Sequence, residues 1–522
     1  MNLAITNIIS FNLMILSIPA FISIFFFMKG KEKTALYLLI LSAFLLRMYL
    51  VTLDPYLHSW DERFHALVAK HMIIHPFKPM LRLFPILDYN PSSWCCNHIW
   101  VHKQPLFLWQ MALSMKLFGV NEVALRLPSV IMGTISTFFI YEISRFWTKD
   151  KYVSFLSSLL FAFSFYQLEL TTGRFSLDHN DVAFVFYVTA SIWAFVKYYK
   201  NNFSIKWAII LGIFVAAAIL NKWLTGLLIY GAWGMMIIIN QKLRNSKRQY
   251  FNIFISVLVA FLLFLPWQIY IKANFPIEAA ASFSQNWDHI TKVLGGHNGS
   301  TWFYLEFMQT AYGFYLIPFF ILGLVSIFFD KKVDLALSFS FVSIIVVLYA
   351  FFSIIVATKM PAFTYPVSSL IIILISYGIM KFLSFINILT QKLFDEKTYK
   401  YLFIIIIPFL GIYSLNPREI EKYRSESNEF REAKINNTQM YKNIPDTIIK
   451  NYIILNCKRF EDVEMMFYTD ANAYQYWPEK KELDSLKLIG YKFAAFKSHN
   501  KQKLPKYILN DKGIKIIDKQ LK

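Results

Sequence analysis

Trp60-Asp61-Glu62-Arg63 places two carboxylates and a guanidinium directly after the apolar run Thr34 to Leu53. Ionised acids are costly in a bilayer, so such a pair is either an interfacial cap or a working group. In the first case Asp61 caps a helix starting at Glu62, and Arg63 to His75 continues it as an amphipathic stretch. In the second, a carboxylate beside apolar walls is tuned as a general base for an acceptor hydroxyl. Lys103, in His102-Lys103-Gln104-Pro105, is either a lysine snorkelling to headgroups or a point charge for a phosphate. The insert Gly173 to Asp181 carries Arg174 and Asp178, and reads as a solvated turn or as a contact surface for sugar and phosphate. Lys222 stands at a hairpin tip, Asn221-Lys222-Trp223. Lys359 and Tyr365 stand where Pro361 and Pro366 break a helix. His102 and His289 are the candidates for a metal, against the commoner outcome of hydrogen-bonded loop histidines. Cys95-Cys96-Asn97-His98 lacks zinc-site spacing.

The elements that must position these groups are membrane helices. Of the 522 residues 56% are hydrophobic and only 16% charged, where soluble domains carry about 25%. The formal charge of +20 does not mark a nucleic-acid binder, because Lys and Arg cluster in short loops between apolar runs. Cys95, Cys96 and Cys457 form no disulfide framework and are expected as free thiols. About twenty apolar residues cross a bilayer, which predicts about twelve spans. They lie near 5–28, 34–53, 127–147, 151–170, 181–199, 206–220, 223–240, 251–272, 305–329, 335–357, 366–388 and 400–415. The first run has no basic n-region or small-residue cleavage site, so it reads as a span rather than a cleaved leader.

Basic clusters at Lys29 to Lys33, Arg145 to Lys151, Lys197 to Lys206, Lys242 to Arg248, Lys331-Lys332 and Lys392 to Lys400 set sidedness. With all of them cytoplasmic, the spans alternate, provided that 105–118 lies at the interface or is re-entrant. The extracytoplasmic loops are then 54–104, 171–180 and 273–304. The expected fold is an all-α polytopic membrane protein with a small extracytoplasmic α/β domain. Residues 1–33 are an extra span and basic loop, 34–415 the main membrane domain and 416–522 the terminal domain.

The order of motifs is more telling than any one of them. Trp60-Asp61-Glu62 is followed by His102-Lys103-Gln104-Pro105, Phe118-Gly119-Val120-Asn121-Glu122 and Arg126-Leu127-Pro128-Ser129. Leu177-Asp178, Asn221-Lys222, Leu265-Pro266-Trp267 and Lys359-Met360-Pro361 with Tyr365-Pro366 come after. This succession, over roughly residues 34–390, resembles the GT-C fold glycosyltransferases of the aminoarabinose transferase and protein O-mannosyltransferase type. Two features depart from that pattern: His102 stands where aminoarabinose transferases carry a glutamate, and Gln104 is inserted before the proline.

The resemblance implies a sugar transferase of the plasma (inner) membrane. It would use a polyprenyl-phosphate sugar as donor and act on the extracytoplasmic side. Asp61 would be the base and Glu62 its paired acid, with Asp178 as the second acid that orients substrate. Lys103, Arg174, Lys222, His289, Lys359 and Tyr365 would bind donor and substrate. Direct displacement would invert the anomeric centre. A divalent metal stays open, as does the acceptor: lipid A, another envelope glycan or a protein hydroxyl. The alternative is a polytopic transporter or lipid flippase without transferase activity. A transporter places charges near the midplane and often shows repeats, neither of which the sequence has.

Overall fold

The computed structural model describes residues 8–175, 178–390, 396–499 and 502–521. Residues 5–7 of the first span, Leu177 and Lys392 lie outside them. Among the described residues, nine helical stretches are long and apolar enough to cross a membrane, or eleven if each of two bent pairs counts as one. The protein is a multi-pass membrane protein of the architecture the sequence predicts.

Two expected spans are not simple helices. Lys151–Ala162 and Phe165–Thr171 meet at a 45° bend, where Ser164 accepts a hydrogen bond from the Gln167 N–H and starts the second piece. Phe303–Tyr312 and Phe314–Phe329 meet at 104°. Residues 205–239 form one apolar stretch but fold back at Trp223–Leu227, as the hairpin reading requires. Lys222 pairs with Asp181 near the start of Asp178–Lys200, whereas Trp233 and Tyr198, near its end, share Gln249. Leu106–Phe118 has thirteen residues, about 20 Å of helix and too short to span. It packs instead on Asp61–Met72 and Glu122–Trp147.

The motif Phe118-Gly119-Val120-Asn121 makes the corner between Leu106–Phe118 and Glu122–Trp147. Gly119 (φ 85°) ends Leu106–Phe118, and the Asn121 side chain accepts from the Ala124 N–H at 2.9 Å to cap Glu122–Trp147. That corner sets the height of Arg126, whose fully buried guanidinium organises the neighbouring loop. It donates to Val51 O (3.1 Å), Asp54 O (2.8 Å), Tyr56 O (2.7 Å) and the Glu62 carboxylate (2.8 and 3.1 Å). His179 joins through Nε2 to Glu62 (3.0 Å) and through Nδ1 to Ser129 (2.8 Å). Arg126-Leu127-Pro128-Ser129 thus holds one carboxylate from two sides.

The terminal region is a mixed sheet with helices. β1 (Ile453–Leu455) pairs in parallel with β2 (Asn472–Ala473) and β3 (Phe493–His499). β3 also pairs antiparallel with β4 (Gln502–Lys503) and in parallel with β5 (Ile514–Leu521). The region does not stand apart from the membrane part. Lys70 donates to Met466 O, Phe467 O and Thr469 O, the open end of helix Glu461–Tyr468. Arg82 pairs with Asp462 (2.6 Å) and Arg63 with Glu464 (3.2 Å). Leu87 of the 54–104 loop packs into the sheet's own apolar core. Cys95, Cys96 and Cys457 are free.

Gly173 (φ 84°) passes directly under Glu62, and a Cβ there would collide with the carboxylate. Gly119 has the same positive φ, but a Cβ would meet only Asn121 Nδ2, at 3.7 Å. Gly119→Ala is therefore expected to cost about 1 kcal/mol of strain. Gly173→Ala should cost about 3 kcal/mol or more, since it also disrupts a buried ion pair. Thermal unfolding of the two purified variants checks this, and equal losses would exclude the wedge.

Candidate functional site

Asp61, Glu62 and Arg63 begin the helix Asp61–Met72, which follows Trp60 held at φ 68°. Asp61 is thus the first helical residue, not the cap expected before Glu62. Successive helical residues point about 100° apart, so the three charges part company. Arg63 reaches the terminal region. Glu62 is fully buried and also accepts from the His58 N–H (2.5 Å). Burial alone would raise its carboxyl pKa, but Arg126 and the His179 hydrogen bond outweigh this and hold it well below the usual range. Glu62 is an ionised strut. Asp61 remains at the surface of the cluster and lies within electrostatic reach of His102.

One turn beyond Asp61, His65 Nδ1 meets Asp178 Oδ1 at 3.0 Å, both side chains buried. One turn beyond Asp178, Asp181 pairs with Lys222 from the fold-back turn. The other oxygens of Asp178 and Asp181 and the Nε2 of His65 are buried and lack hydrogen-bond partners among the described residues. Lys222 also lies over the Phe363 ring, 5.6 Å from its centre.

Lys103 approaches from the other side. Its neighbours are tied down: Gln104 accepts from Gln268 at 2.8 Å, and Val101 O accepts from Ser282 at 3.2 Å. Lys103 itself is half-buried and makes no hydrogen bond or ion pair among the described residues. It acts electrostatically on His102, His289 and Asp181. Thr358 N donates to His289 O at 3.1 Å and Lys359 N to His297 O at 2.9 Å, which fastens the 273–304 loop to the 357–359 segment. Burial, with Lys103 adding to it, pushes His102 down to about 3 and His289 to about 4. Both rings are neutral near pH 7.

The structure brings Asp61, His65, His102, Lys103, Asp178, Asp181, Lys222 and His289 to one end of the bundle. Three residues expected to bind substrate are held elsewhere. Arg174 stacks on Tyr423 (3.8 Å) and pairs with Glu169 (3.5 Å). Lys359 donates to Phe352 O, Ser353 O and Val356 O, capping an open helix end with its whole charge. Tyr365 is buried between Tyr166 and Tyr312. Sequence reasoning included Asp181 only as part of the polar insert Gly173 to Asp181 and gave His65 no role in the site. His65 had a usable signal: it lies four residues after Asp61, on the same helix face. Among the described residues no group of three His, Cys, Asp or Glu is arranged to hold a metal. His102 and His289, the candidates for a metal, belong to no such group.

A family model described as dolichyl-phosphate-mannose-protein mannosyltransferase matches residues 102–270. The ArnT crystal structure from Cupriavidus metallidurans, bound to undecaprenyl phosphate, aligns over 87% of each chain with a TM-score of 0.61 at 13% identity. The chain has the GT-C glycosyltransferase fold. The archaeal oligosaccharyltransferase AglB from Archaeoglobus fulgidus aligns over 85% of this chain and 64% of its own, with a TM-score of 0.53 at 12% identity. An undecaprenyl phosphate-alpha-4-amino-4-deoxy-L-arabinose arabinosyl transferase from Pseudomonas aeruginosa is 26% identical over 214 residues, 39% of this chain and 37% of that one. The chain spans between 25% and 48% of the length of the curated relatives it matches.

The neutral histidines give a pH signature. His71, His102 and His289 carry folded-state values of about 4, 3 and 4, below the ordinary value. Below about pH 6.5 the unfolded chain takes up protons that the folded chain does not. Their contribution is complete above that pH and is lost as the pH falls toward the folded values. Thermal unfolding should show Tm falling steadily from about pH 6.5 to about pH 4.5, before most carboxylates titrate. A flat Tm over that window would contradict neutral histidines.

Proposed function

We propose that the protein is an integral-membrane glycosyltransferase that moves a sugar from a polyprenyl-phosphate donor to an acceptor hydroxyl on the extracytoplasmic side of the plasma membrane. The observation that carries this reading is Lys103. It is a cation that makes no hydrogen bond or ion pair among the described residues, placed among neutral histidines at the end of a bundle with the GT-C fold. A lipid phosphate supplies the charge it lacks. Lys222, already beside Asp181, adds positive charge for the same phosphate. The fold and the undecaprenyl phosphate in the similar ArnT structure support the lipid class of the donor.

The reaction follows from the parts. The polyprenyl tail stays in lipid and the phosphate sits against Lys103. The acceptor oxygen attacks the anomeric carbon as Asp61 takes its proton. The new C–O bond forms as the bond to phosphate oxygen breaks, and polyprenyl phosphate leaves with the bonding pair. The leaving group is a phosphate stabilised by cations, so it needs no general acid. A single displacement inverts the anomeric centre. Asp178, oriented by His65, accepts hydrogen bonds from the sugar. Arg174 and Lys359 have no part in this step, and Glu62 acts by holding the helix that presents Asp61. Lipid, envelope glycan and protein hydroxyls all remain eligible acceptors.

The test uses the full-length protein in proteoliposomes with labelled polyprenyl-phosphate sugar and membrane extract. Asp61→Asn should lower transfer by about 10²-fold or more while retaining polyprenyl phosphate binding. Lys103→Ala should weaken that binding by about tenfold, the scale of one charge-assisted hydrogen bond. Transfer at the wild-type rate by Asp61→Asn, or unchanged binding by Lys103→Ala, would remove the respective role.

A further inference from the structure

Away from the Lys103 cluster, a cavity of about 840 Å³ opens between the N-terminal helix Ile8–Met28, both bent helix pairs and the helix ending at Tyr423. Its apolar wall includes the buried Leu160, Leu316 and Ile375, with Phe165, Ile412 and the exposed Met14 beside them. Its rim is polar, formed by Ser10, Gln309, Asn416, Arg418 and Glu421. The tyrosine layer Tyr312–Tyr365–Tyr166, with ring centres 6.2 and 4.7 Å apart, stands between it and the helix carrying Asp181. The two are separate sites.

Three features point to a ligand. Both bent pairs break where they line this cavity, at Ser164 and at Gly313. Interrupted backbone at membrane depth is tolerated where it faces a cavity rather than lipid, because freed polar groups need partners. On the rim, Arg418 is exposed and makes no hydrogen bond or ion pair among the described residues. Glu421 accepts from Ser10 through Oε2, but its Oε1 is buried without a hydrogen-bond partner among the described residues. The volume lies within the usual range for a small-molecule site, about 300–1,000 Å³.

We propose that this cavity binds an aminophospholipid. One acyl chain lies along the apolar wall, the phosphate meets Arg418 with Gln309, and the protonated amine donates to the free oxygen of Glu421. A headgroup with both charges matches a rim that offers one unpaired cation and one half-paired acid. An anionic headgroup without an amine leaves Glu421 unmet. A quaternary ammonium has no N–H to donate to it. This site does not depend on the transferase reading, since it uses none of the residues assigned to transfer.

Native mass spectrometry of the full-length protein tests this directly, with phosphatidylethanolamine, phosphatidylglycerol or phosphatidylcholine of matched chains added. Phosphatidylethanolamine should be retained about tenfold better than either of the others, the scale of one charge-assisted hydrogen bond. Glu421→Gln should bring it down to the phosphatidylcholine level, and exposed Arg418→Gln should weaken retention of all three. Polyprenyl phosphate binding should be unchanged in both variants. Equal retention of the three lipids by the wild type would overturn the proposal without a variant. So would an undiminished preference in Glu421→Gln, or a loss of polyprenyl phosphate binding in either variant.

Discussion

The buried ion pair between Glu62 and Arg126 is the constraint on which the site depends. Removing one partner of such a pair leaves an uncompensated charge in the interior, which costs about 3–5 kcal/mol. Here the pair also carries geometry. Arg126 collects the Val51 carbonyl at the end of Glu32–Thr52 and the Asp54 and Tyr56 carbonyls of the turn after it, which fixes how the chain enters Asp61–Met72. His179 brings the start of Asp178–Lys200 to the same carboxylate. Asp61 and His65 on one element, and Asp178 and Asp181 on the other, are thereby set face to face by one buried carboxylate.

The second layer of this arrangement is Asp54, fully enclosed with Arg424 (2.9 Å) and Arg431 (3.2 Å). Burial would raise its carboxyl pKa, and the Arg424 charge with the side-chain contact from His58 outweighs that and holds it below the usual range. Arg424 in turn grips Glu169 at 2.7 and 3.1 Å. The chain beyond the last span is thus wired to the first loop and to a broken helix. Lys434, between Glu461 and Glu464, extends the chain of charges into the terminal region, where Glu464 meets Arg63. The terminal region supports the Asp61 helix from outside as Arg126 does from inside.

Much of this was legible in the sequence, and for physical reasons. Apolar runs and basic loops are dictated by the bilayer, so the spans and the short helix at 106–118 could be read without contacts. Which charges work and which hold the frame could not. Lys103 and Lys359 look alike in sequence, each a lone lysine near a proline at a span end. Only the carbonyls of Phe352, Ser353 and Val356 separate them, and these depend on how the chain breaks before Lys359. Glu62 and Asp61 are adjacent, yet one helical step sends them to opposite fates. His65 and Asp181 gain meaning from pairing across more than a hundred positions for His65 and from a hairpin tip for Asp181, distances that no local spacing reveals. The breaks at Ser164 and Gly313 were invisible because hydropathy continues unbroken through both.

The central claim is that Lys103 is the cation of a lipid-phosphate site built on the Glu62–Arg126 frame. Cryo-electron microscopy of the protein with polyprenyl phosphate tests it most directly. The account predicts a phosphate about 3 Å from the Lys103 ammonium, with Asp61 open toward the space beside it. A phosphate bound away from Lys103, such as at the Arg418 rim, would contradict it.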